Sequence, residues 1–338
     1  MALAKNNFSS KKINCSKKSV EANSLMKDDL DDAEELVFDF EAYPMCNADK
    51  EGLVNLLTQA FIIIFFASKI FLRADVDVIR MADILVEQSP FGCVYRVTSL
   101  LFDCEHLNFP LIPAEEFIDD DDEGVVYGLL SMLSLKENQK FVADIWSLLK
   151  TKAQKYAIDK KILSLLDNLS ALNSTNSVGL LINERLLHFP TAIASPAFKS
   201  LADDLKNYGS QYSFSYVVLF LKIRVADNGN AKEFTNSDSS NESRKRKKLT
   251  KAQKKLIAAN AIADADIVFD NREEELLFQC DLKFDYFQYP VQSDVEKDSK
   301  FNSIILKGVL FRPYRRVCFL ENSTFRRYVE IVSSADFG

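Results

Sequence analysis

Side chains that could perform catalysis or hold a metal ion are scarce in this sequence. Of the two histidines, His106 lies two positions after Cys104, and His188 lies in a leucine-rich block before a proline. A metal site needs three or four converging ligands, and neither histidine has further ligands at a suitable spacing. An ordinary structural role is the simpler interpretation of both. We therefore predict no catalytic residue, no metal site and no enzyme activity.

The six cysteines are scattered along the chain and include no Cys-x-x-Cys pair. Disulfide frameworks and zinc sites both need regular cysteine spacing, which is missing here. The pattern therefore predicts a reducing compartment.

The densest negative charge is a run of seven acidic residues within positions 115–123. A calcium loop of the helix-loop-helix kind spaces its carboxylates around a glycine, and this contiguous run does not. Three interpretations stay open: a solvated loop, a surface that binds a basic client protein, and a cation site. The candidate client-binding residues are Glu115, Glu116, Asp119, Asp120, Asp121, Asp122 and Glu123.

A second charged segment is strongly basic, with eight positive charges and no acid in residues 244–255. The density of its first five residues is typical of a nuclear import signal, and its polar surroundings keep it accessible to an import receptor. Contact with RNA is an alternative, although RNA-binding segments usually add interleaved aromatic residues. A third interpretation is that the charges only aid solubility. The predicted import signal is Arg244, Lys245, Arg246, Lys247 and Lys248.

The rest of the chain is acidic. Removing the eight charges of residues 244–255 from the formal net charge of −7 leaves −15 for the remaining residues. Such a surface attracts basic proteins and repels phosphate backbones. We therefore expect a basic protein client and no direct binding of nucleic acid. The most apolar run, residues 61–72, is shorter than the roughly 20 residues needed to span a bilayer, so we expect no membrane association.

Hydrophobic periodicity predicts alternating strands and helices between the charged segments. Residues 1–35 are polar and charged, which predicts a disordered tail, and residues 226–255 are predicted to be a flexible polar and basic insertion. Asn47 and Asp75 are predicted to begin helices. Predicted strands lie at 36–44, 92–98, 125–135, from 178, at 212–225, near 274–289 and near 304–319. Predicted helices lie at 47–57, 75–87, twice within 138–172, at 193–207 and from 322.

The polar step Asn183-Glu184-Arg185 follows the predicted buried strand that begins at 178. Glu184 and Arg185 are candidates for an internal ion pair, and a binding role is the alternative. Strands and helices in this order predict an α+β fold in which helices pack on the faces of a mixed sheet.

Three blocks of the sequence resemble the BCCIP family: VFDFEAYP (37–44), GVVYGLLSML (124–133) and VGLLINERLLHFPTAIASPAF (178–198). The basic insertion and the segment 258–287 also match the family's pattern. The likeness extends over residues 36–335. Residues 61–71 and 99–114 depart from the pattern, either as insertions of the lineage or as unspliced segments.

The resemblance implies a single α+β domain over residues 36–335, with a mixed, mostly antiparallel sheet similar to the GCN5-related acetyltransferase fold. That fold binds its cofactor pyrophosphate at a Gln/Arg-x-x-Gly-x-Gly/Ala turn that opens a helix. Only Gly229 has a small residue two positions on, and Ala226 stands where the turn needs glutamine or arginine. We therefore expect no cofactor and no acetyl transfer.

For function, the resemblance implies a non-catalytic nuclear adaptor or chaperone that shuttles to the cytoplasm. Fungal members escort a large-subunit ribosomal protein and support nuclear export, and animal members are named for binding a breast-cancer susceptibility protein and a cyclin-dependent kinase inhibitor. The expected partners are a large-subunit ribosomal protein and a nuclear import receptor, and the protein itself is expected to be a monomer. The alternatives are an RNA-binding ribosome assembly factor and a divergent acyltransferase.

Overall fold

A computed structural model of the chain describes residues 36–65, 76–102, 125–136, 139–171, 176–186, 189–209, 211–227, 266–291, 303–306 and 308–337. The strands are β1 (Leu36–Tyr43), β2 (Cys93–Phe102), β3 (Gly128–Ser134), β4 (Val178–Arg185), β5 (Tyr216–Ala226), β6 (Ile267–Phe269), β7 (Asp285–Pro290), β8 (Ile304–Leu306) and β9 (Val309–Glu321). The helices are α1 (Lys50–Phe65), α2 (Val78–Glu87), α3 (Lys140–Tyr156), α4 (Lys161–Ser170), α5 (Ala194–Asn207), α6 (Arg272–Gln279) and α7 (Asn322–Ser334).

The nine described strands form one sheet in the order β1-β2-β3-β4-β5-β9-β7, with β6 beside β5 and β8 beside β9. Neighbouring strands are antiparallel except β4 and β5, which run parallel. The predicted α+β fold with a mixed, mostly antiparallel sheet is therefore confirmed.

Helices cover both faces of the sheet. One hydrophobic core packs α1 to α4 against the first face, and a second core packs α5, α6 and α7 against the other. Strand β3 supplies both cores, because Leu129 and Leu133 belong to the first and Leu130 and Met132 to the second. This alternation follows from the two-residue period of a strand, and it agrees with the prediction of a central strand that is covered on both faces.

The first two helices begin at other residues than predicted. Helix α2 follows Asp77, whose side chain accepts a hydrogen bond from the Arg80 backbone N–H at 3.0 Å, whereas the predicted cap, Asp75, lies outside the described residues. Before α1, residues 47–49 make a single 3₁₀ turn with Cys46 as its first flanking residue. The Asp49 carboxylate accepts the Cys46 N–H at 2.8 Å and draws the chain into this turn. The prediction that Asn47 caps α1 is therefore wrong.

The largest departure from the predicted elements is α6. The sequence predicts strands near 274–289, but residues 272–279 are helical and only β7, Asp285–Pro290, is extended. Three consecutive glutamates, Glu273 to Glu275, lie in the first turn of α6. Negative charge at this end of a helix is favourable because it faces the positive end of the helix dipole. The prediction of a strand that begins near 274 is therefore wrong, because the apolar residues Leu276 to Phe278 belong to this helix.

None of the helices within the described ranges has the length and apolar character that a membrane crossing requires.

Candidate functional site where β4 and β5 separate

Strands β4 and β5 run side by side only over their first residues. Their parallel pairing joins Val178–Leu181 to Tyr216–Leu219 and goes no further. Beyond it, Ile223–Val225 of β5 pairs with β6 instead. The gap that opens between β4 and β5 is therefore occupied by β6, and helix α6 follows β6 in the chain.

Buried polar side chains hold α6 to the end of β4. Arg185 forms an ion pair with Glu273, and the two side chains are only 5% and 0% exposed. The Asn183 amide donates to the same Glu273 oxygen, Oε1, at 2.8 Å. One residue further along α6, Glu274 accepts a hydrogen bond from the Asn271 amide at 2.8 Å. These contacts satisfy one oxygen of each carboxyl group.

The Glu274 carboxyl group resists ionisation. Its burial raises its pKa well above the ordinary value of 4.5, and the neighbouring Glu273 raises it further, while the hydrogen bond from Asn271 acts in the opposite direction. Burial dominates because a carboxylate inside the protein loses its hydration. The charge of Glu274 therefore changes at a higher pH than the charge of an ordinary glutamate does.

A small cavity adjoins this network. It has a volume of about 20 Å³ and is lined by Asn183, Glu184, Glu274, Tyr328 and apolar residues of β4 and β5. Glu274 Oε2 and the Tyr328 hydroxyl have no hydrogen-bond partner in the described part of the chain. A volume of this size admits one water molecule. The arrangement can therefore bind a water molecule and exchange a proton with it, but the cavity is too small for an organic substrate.

The opposite face of the same gap carries two further ion pairs. Glu184 pairs with Lys222 and Arg224 pairs with Asp270. Glu184 and Arg185 therefore both form internal ion pairs, as predicted, but not with each other. Adjacent residues of a strand point to opposite faces of the sheet, so Glu184 and Arg185 find separate partners.

The residues that the sequence singled out for binding lie outside the described residues. This holds for the acidic residues Glu115, Glu116 and Asp119 to Glu123, for the basic residues Arg244 to Lys248, and for both histidines. Their roles stay predictions.

The described residues contain four cysteines, Cys46, Cys93, Cys280 and Cys318, and none of them forms a disulfide with another described cysteine. Burial raises the pKa of the Cys318 thiol and keeps it neutral. Within the same ranges, no group of three or more His, Cys, Asp and Glu side chains is arranged to hold a metal ion.

Sequence reasoning missed Glu273 and Glu274. Three glutamates in a row are usually interpreted as a solvated surface, because such residues are rarely buried without a partner. The available signal was the apolar stretch Leu276 to Phe278 directly after them. This stretch packs against the sheet, so one side of the helix is buried and Glu273 and Glu274 lie inside the protein.

These observations define an α+β protein with one mixed sheet, in which the buried charges between β4 and β5 are paired within the chain. The family model named BCCIP matches residues 35–277. The Caenorhabditis elegans "Protein BCCIP homolog" is 32% identical over 303 residues, which cover 87% of this chain and 78% of that protein. The chain belongs to the BCCIP family.

Other similar proteins include the human "BRCA2 and CDKN1A-interacting protein", which is 31% identical over 51% of this chain and 48% of its own length. The name of the human protein describes an interaction protein and not an enzyme. Among solved structures, the crystal structure of BCP1 from Saccharomyces cerevisiae matches 91% of this chain and 92% of its own, with 13% identity and a TM-score of 0.46. The likeness to the GCN5-related acetyltransferase fold stays a prediction.

Proposed function

We propose that this protein is a non-catalytic nuclear adaptor or chaperone for basic client proteins. The observation that carries the proposal is the charge distribution, since the chain outside residues 244–255 sums to −15. Membership of the BCCIP family supports a role in protein binding. The buried charges between β4 and β5 are paired with one another. The charges that meet a client are therefore those of the surface and of the acidic segments.

The mechanism is shielding of a basic surface. Residues 115–123 and the acidic surface cover the RNA-binding face of a large-subunit ribosomal protein until it is assembled, which suppresses its nonspecific contacts with nucleic acid. Charge steers the encounter, and the folded surface selects the partner. In this way the protein supports ribosome biogenesis and nuclear export, and it exchanges between nucleus and cytoplasm.

The direct test is affinity purification of the tagged protein from nuclear extract at about 150 mM salt, close to physiological ionic strength, with nuclease present. Mass spectrometry should find one large-subunit ribosomal protein in near-equal amount with the bait. Recovery of whole ribosomal particles, or of partners that disappear with nuclease, would contradict the proposal.

A matched pair of variants locates the client-binding segment. In one variant the seven acids of 115–123 are replaced by Asn and Gln, and in the other the six acids of 28–35 are replaced in the same way. The first variant is expected to lose most of the client and the second to retain it. Equal losses would show that net charge alone is responsible.

The import proposal has its own test. Replacing Arg244 to Lys248 by alanine in a fluorescent fusion should shift the protein toward the cytoplasm, while the same change at Lys251, Lys254 and Lys255 serves as the control. Unchanged nuclear accumulation of the first variant would argue against an import signal.

An RNA-binding assembly factor is the second candidate, and the basic segment 244–255 is the observation that favours it. This function predicts that the purified protein binds RNA with an affinity that falls steeply with salt. Deleting residues 244–255 would abolish that binding.

A further inference from the structure

Four aromatic rings form a cluster where α6 meets β7. The ring centroids of Phe269 and Phe278 are 5.4 Å apart, those of Phe278 and Phe284 are 5.2 Å apart, and those of Phe284 and Tyr286 are 6.1 Å apart. Three of the rings are half-buried, and Tyr286 is 46% exposed. The cluster therefore reaches the surface, beside the strand that ends the described sheet. Together with Arg316 it is called the aromatic box.

The guanidinium group of Arg316 lies within this box. Its Cζ atom is 4.6 Å from the ring centroid of Phe278, 4.9 Å from that of Tyr286 and 5.9 Å from that of Phe269. Both Nε and Nη2 donate to one atom, Gln288 Oε1, at 2.9 and 2.7 Å. Arg316 is only 5% exposed, and this burial lowers its pKa.

In the part of the chain that the structure describes, no carboxylate contacts Arg316. Its Nη1 atom makes no hydrogen bond there and is not sealed from solvent. Three other arginines of the sheet differ, because Arg185, Arg224 and Arg312 pair with Glu273, Asp270 and Asp227. Arg316 is thus a buried cation with rings and a neutral amide around it.

A buried guanidinium without an anion is unfavourable, and aromatic faces offset only part of the lost hydration. An anion brought from outside would complete the site. Arginine and tyrosine are also the residues on which protein interfaces most often depend when they lie in a desolvated pocket.

We propose that the aromatic box binds an acidic segment of a partner protein. A carboxylate of the segment accepts a hydrogen bond from Arg316 Nη1, and neighbouring apolar side chains pack on Phe284 and Tyr286. This site lies on the folded domain and takes a ligand opposite in charge to the basic client, so it goes beyond the proposed function and stands independently of it.

A protein segment fits this site better than a nucleic acid does. Nucleic-acid sites neutralise several phosphates with several cations along a track. Within the described residues the box offers one cation, one guanidinium nitrogen that makes no hydrogen bond, Nη1, and apolar ring surface. This combination matches one carboxylate flanked by apolar side chains.

The test measures binding of a fluorescein-labelled peptide, GSLTFEFTLSG, to the full-length protein by fluorescence anisotropy. The matched peptide GSLTFQFTLSG carries the neutral amide in place of the carboxylate. The acidic peptide is expected to bind at least about tenfold more tightly, as is typical of one hydrogen bond between charged groups. Equal affinities, or no saturable binding of either peptide, would overturn the proposal.

Variants then connect the preference to the box. Arg316→Met should abolish the discrimination between the two peptides. Tyr286→Ala, at a position that is 46% exposed, should weaken the binding of both peptides about tenfold, with urea denaturation as the check that the variant is folded. Arg327→Gln, at an exposed arginine of α7 outside the box, is the control and should leave binding unchanged. Discrimination that survives Arg316→Met would refute the assignment.

Two further measurements exclude other occupants. If the protein with neutralised residues 115–123 binds the acidic peptide far more tightly than the unmodified protein does, the chain's own acidic run occupies the box and the partner proposal falls. Displacement of the peptide by a single-stranded oligonucleotide that binds at the box would show that the box binds nucleic acid, and the proposal of a protein partner would fall. The proposal predicts neither result.

Discussion

Arg185 and Arg316 are two nearly buried arginines that the same helix covers in opposite ways. Helix α6 gives Arg185 a carboxylate, Glu273, whereas five residues later it gives Arg316 an aromatic ring, Phe278. Both arginines contact α6 on the same face of the sheet. They differ in position, since Arg185 lies at the gap inside the sheet and Arg316 lies beside β7, where the described sheet ends.

The difference shows where a protein can leave a buried charge without a carboxylate of its own chain. A cation in the interior must be neutralised by the chain itself, because nothing else reaches it. A cation near the edge of a sheet can pair with an anionic group of another molecule. We therefore interpret the Arg185 network as part of the framework and the aromatic box as part of the binding surface, and the predictions below test that distinction.

The largest effect is expected at Arg185. Replacing it by methionine leaves the fully buried Glu273 with the Asn183 amide but without its cation. Breaking one side of a buried ion pair typically costs about 3–5 kcal/mol of stability. Urea denaturation of the purified Arg185→Met protein should show a loss in this range.

A double variant is the control for that measurement. Arg185→Met combined with Glu273→Leu removes both charges and should recover much of the lost stability, because two apolar side chains replace the pair. A loss below about 1 kcal/mol for the single variant would contradict a structural role, since unpaired buried charges are more costly than that.

A smaller effect, dependent on pH, is expected at Glu274. Its folded-state pKa is raised above the ordinary value of 4.5 by burial and by Glu273. Stability from the protonated carboxyl group is therefore fully present below pH 4.5 and is lost as pH rises through the folded-state pKa. The loss approaches about 1.4 kcal/mol per pH unit between the two pKa values.

Glu274→Gln cannot ionise, so it tests this dependence. Glu273, Glu184, Arg185, Asn271 and Tyr328 surround the group, and they are present in both proteins. The variant should gain stability relative to the unmodified protein as pH rises above 4.5, measured by urea denaturation at several pH values. Parallel profiles for the two proteins would refute a pH-sensitive Glu274.

Much of the framework could be predicted from local patterns. The two helices within 138–172, the buried strand that begins at Val178 and the helix near 193–207 all follow from hydrophobic periodicity, which depends on near neighbours in sequence. Helix α6 was predicted to be a strand, because a short apolar stretch suits either element. The burial of Glu273 is explained only by its contact with Arg185, which lies at the end of β4.

The two arginines show why the site could not be predicted in the same way. Glu184 is adjacent to Arg185 in sequence, but the true partner, Glu273, is 88 residues further on. For Arg316 the decisive feature is the lack of a carboxylate in the described structure, which no sequence pattern displays. The charged segments 115–123 and 244–248 were predicted from composition alone, and they stay predictions.

The smallest effect is expected when Arg316 is replaced by methionine. The substitution loses ring contacts and two hydrogen bonds to Gln288, a half-buried residue that can turn toward water. It also removes a buried charge that has no carboxylate, so the opposing contributions should leave stability within about 1 kcal/mol of the unmodified protein. Urea denaturation of the Arg316→Met and Arg185→Met proteins under the same conditions compares the two losses of stability directly. A loss at Arg316 as large as that at Arg185 would mean that the aromatic box fastens α6 to the sheet, and the distinction between framework and binding surface would fail.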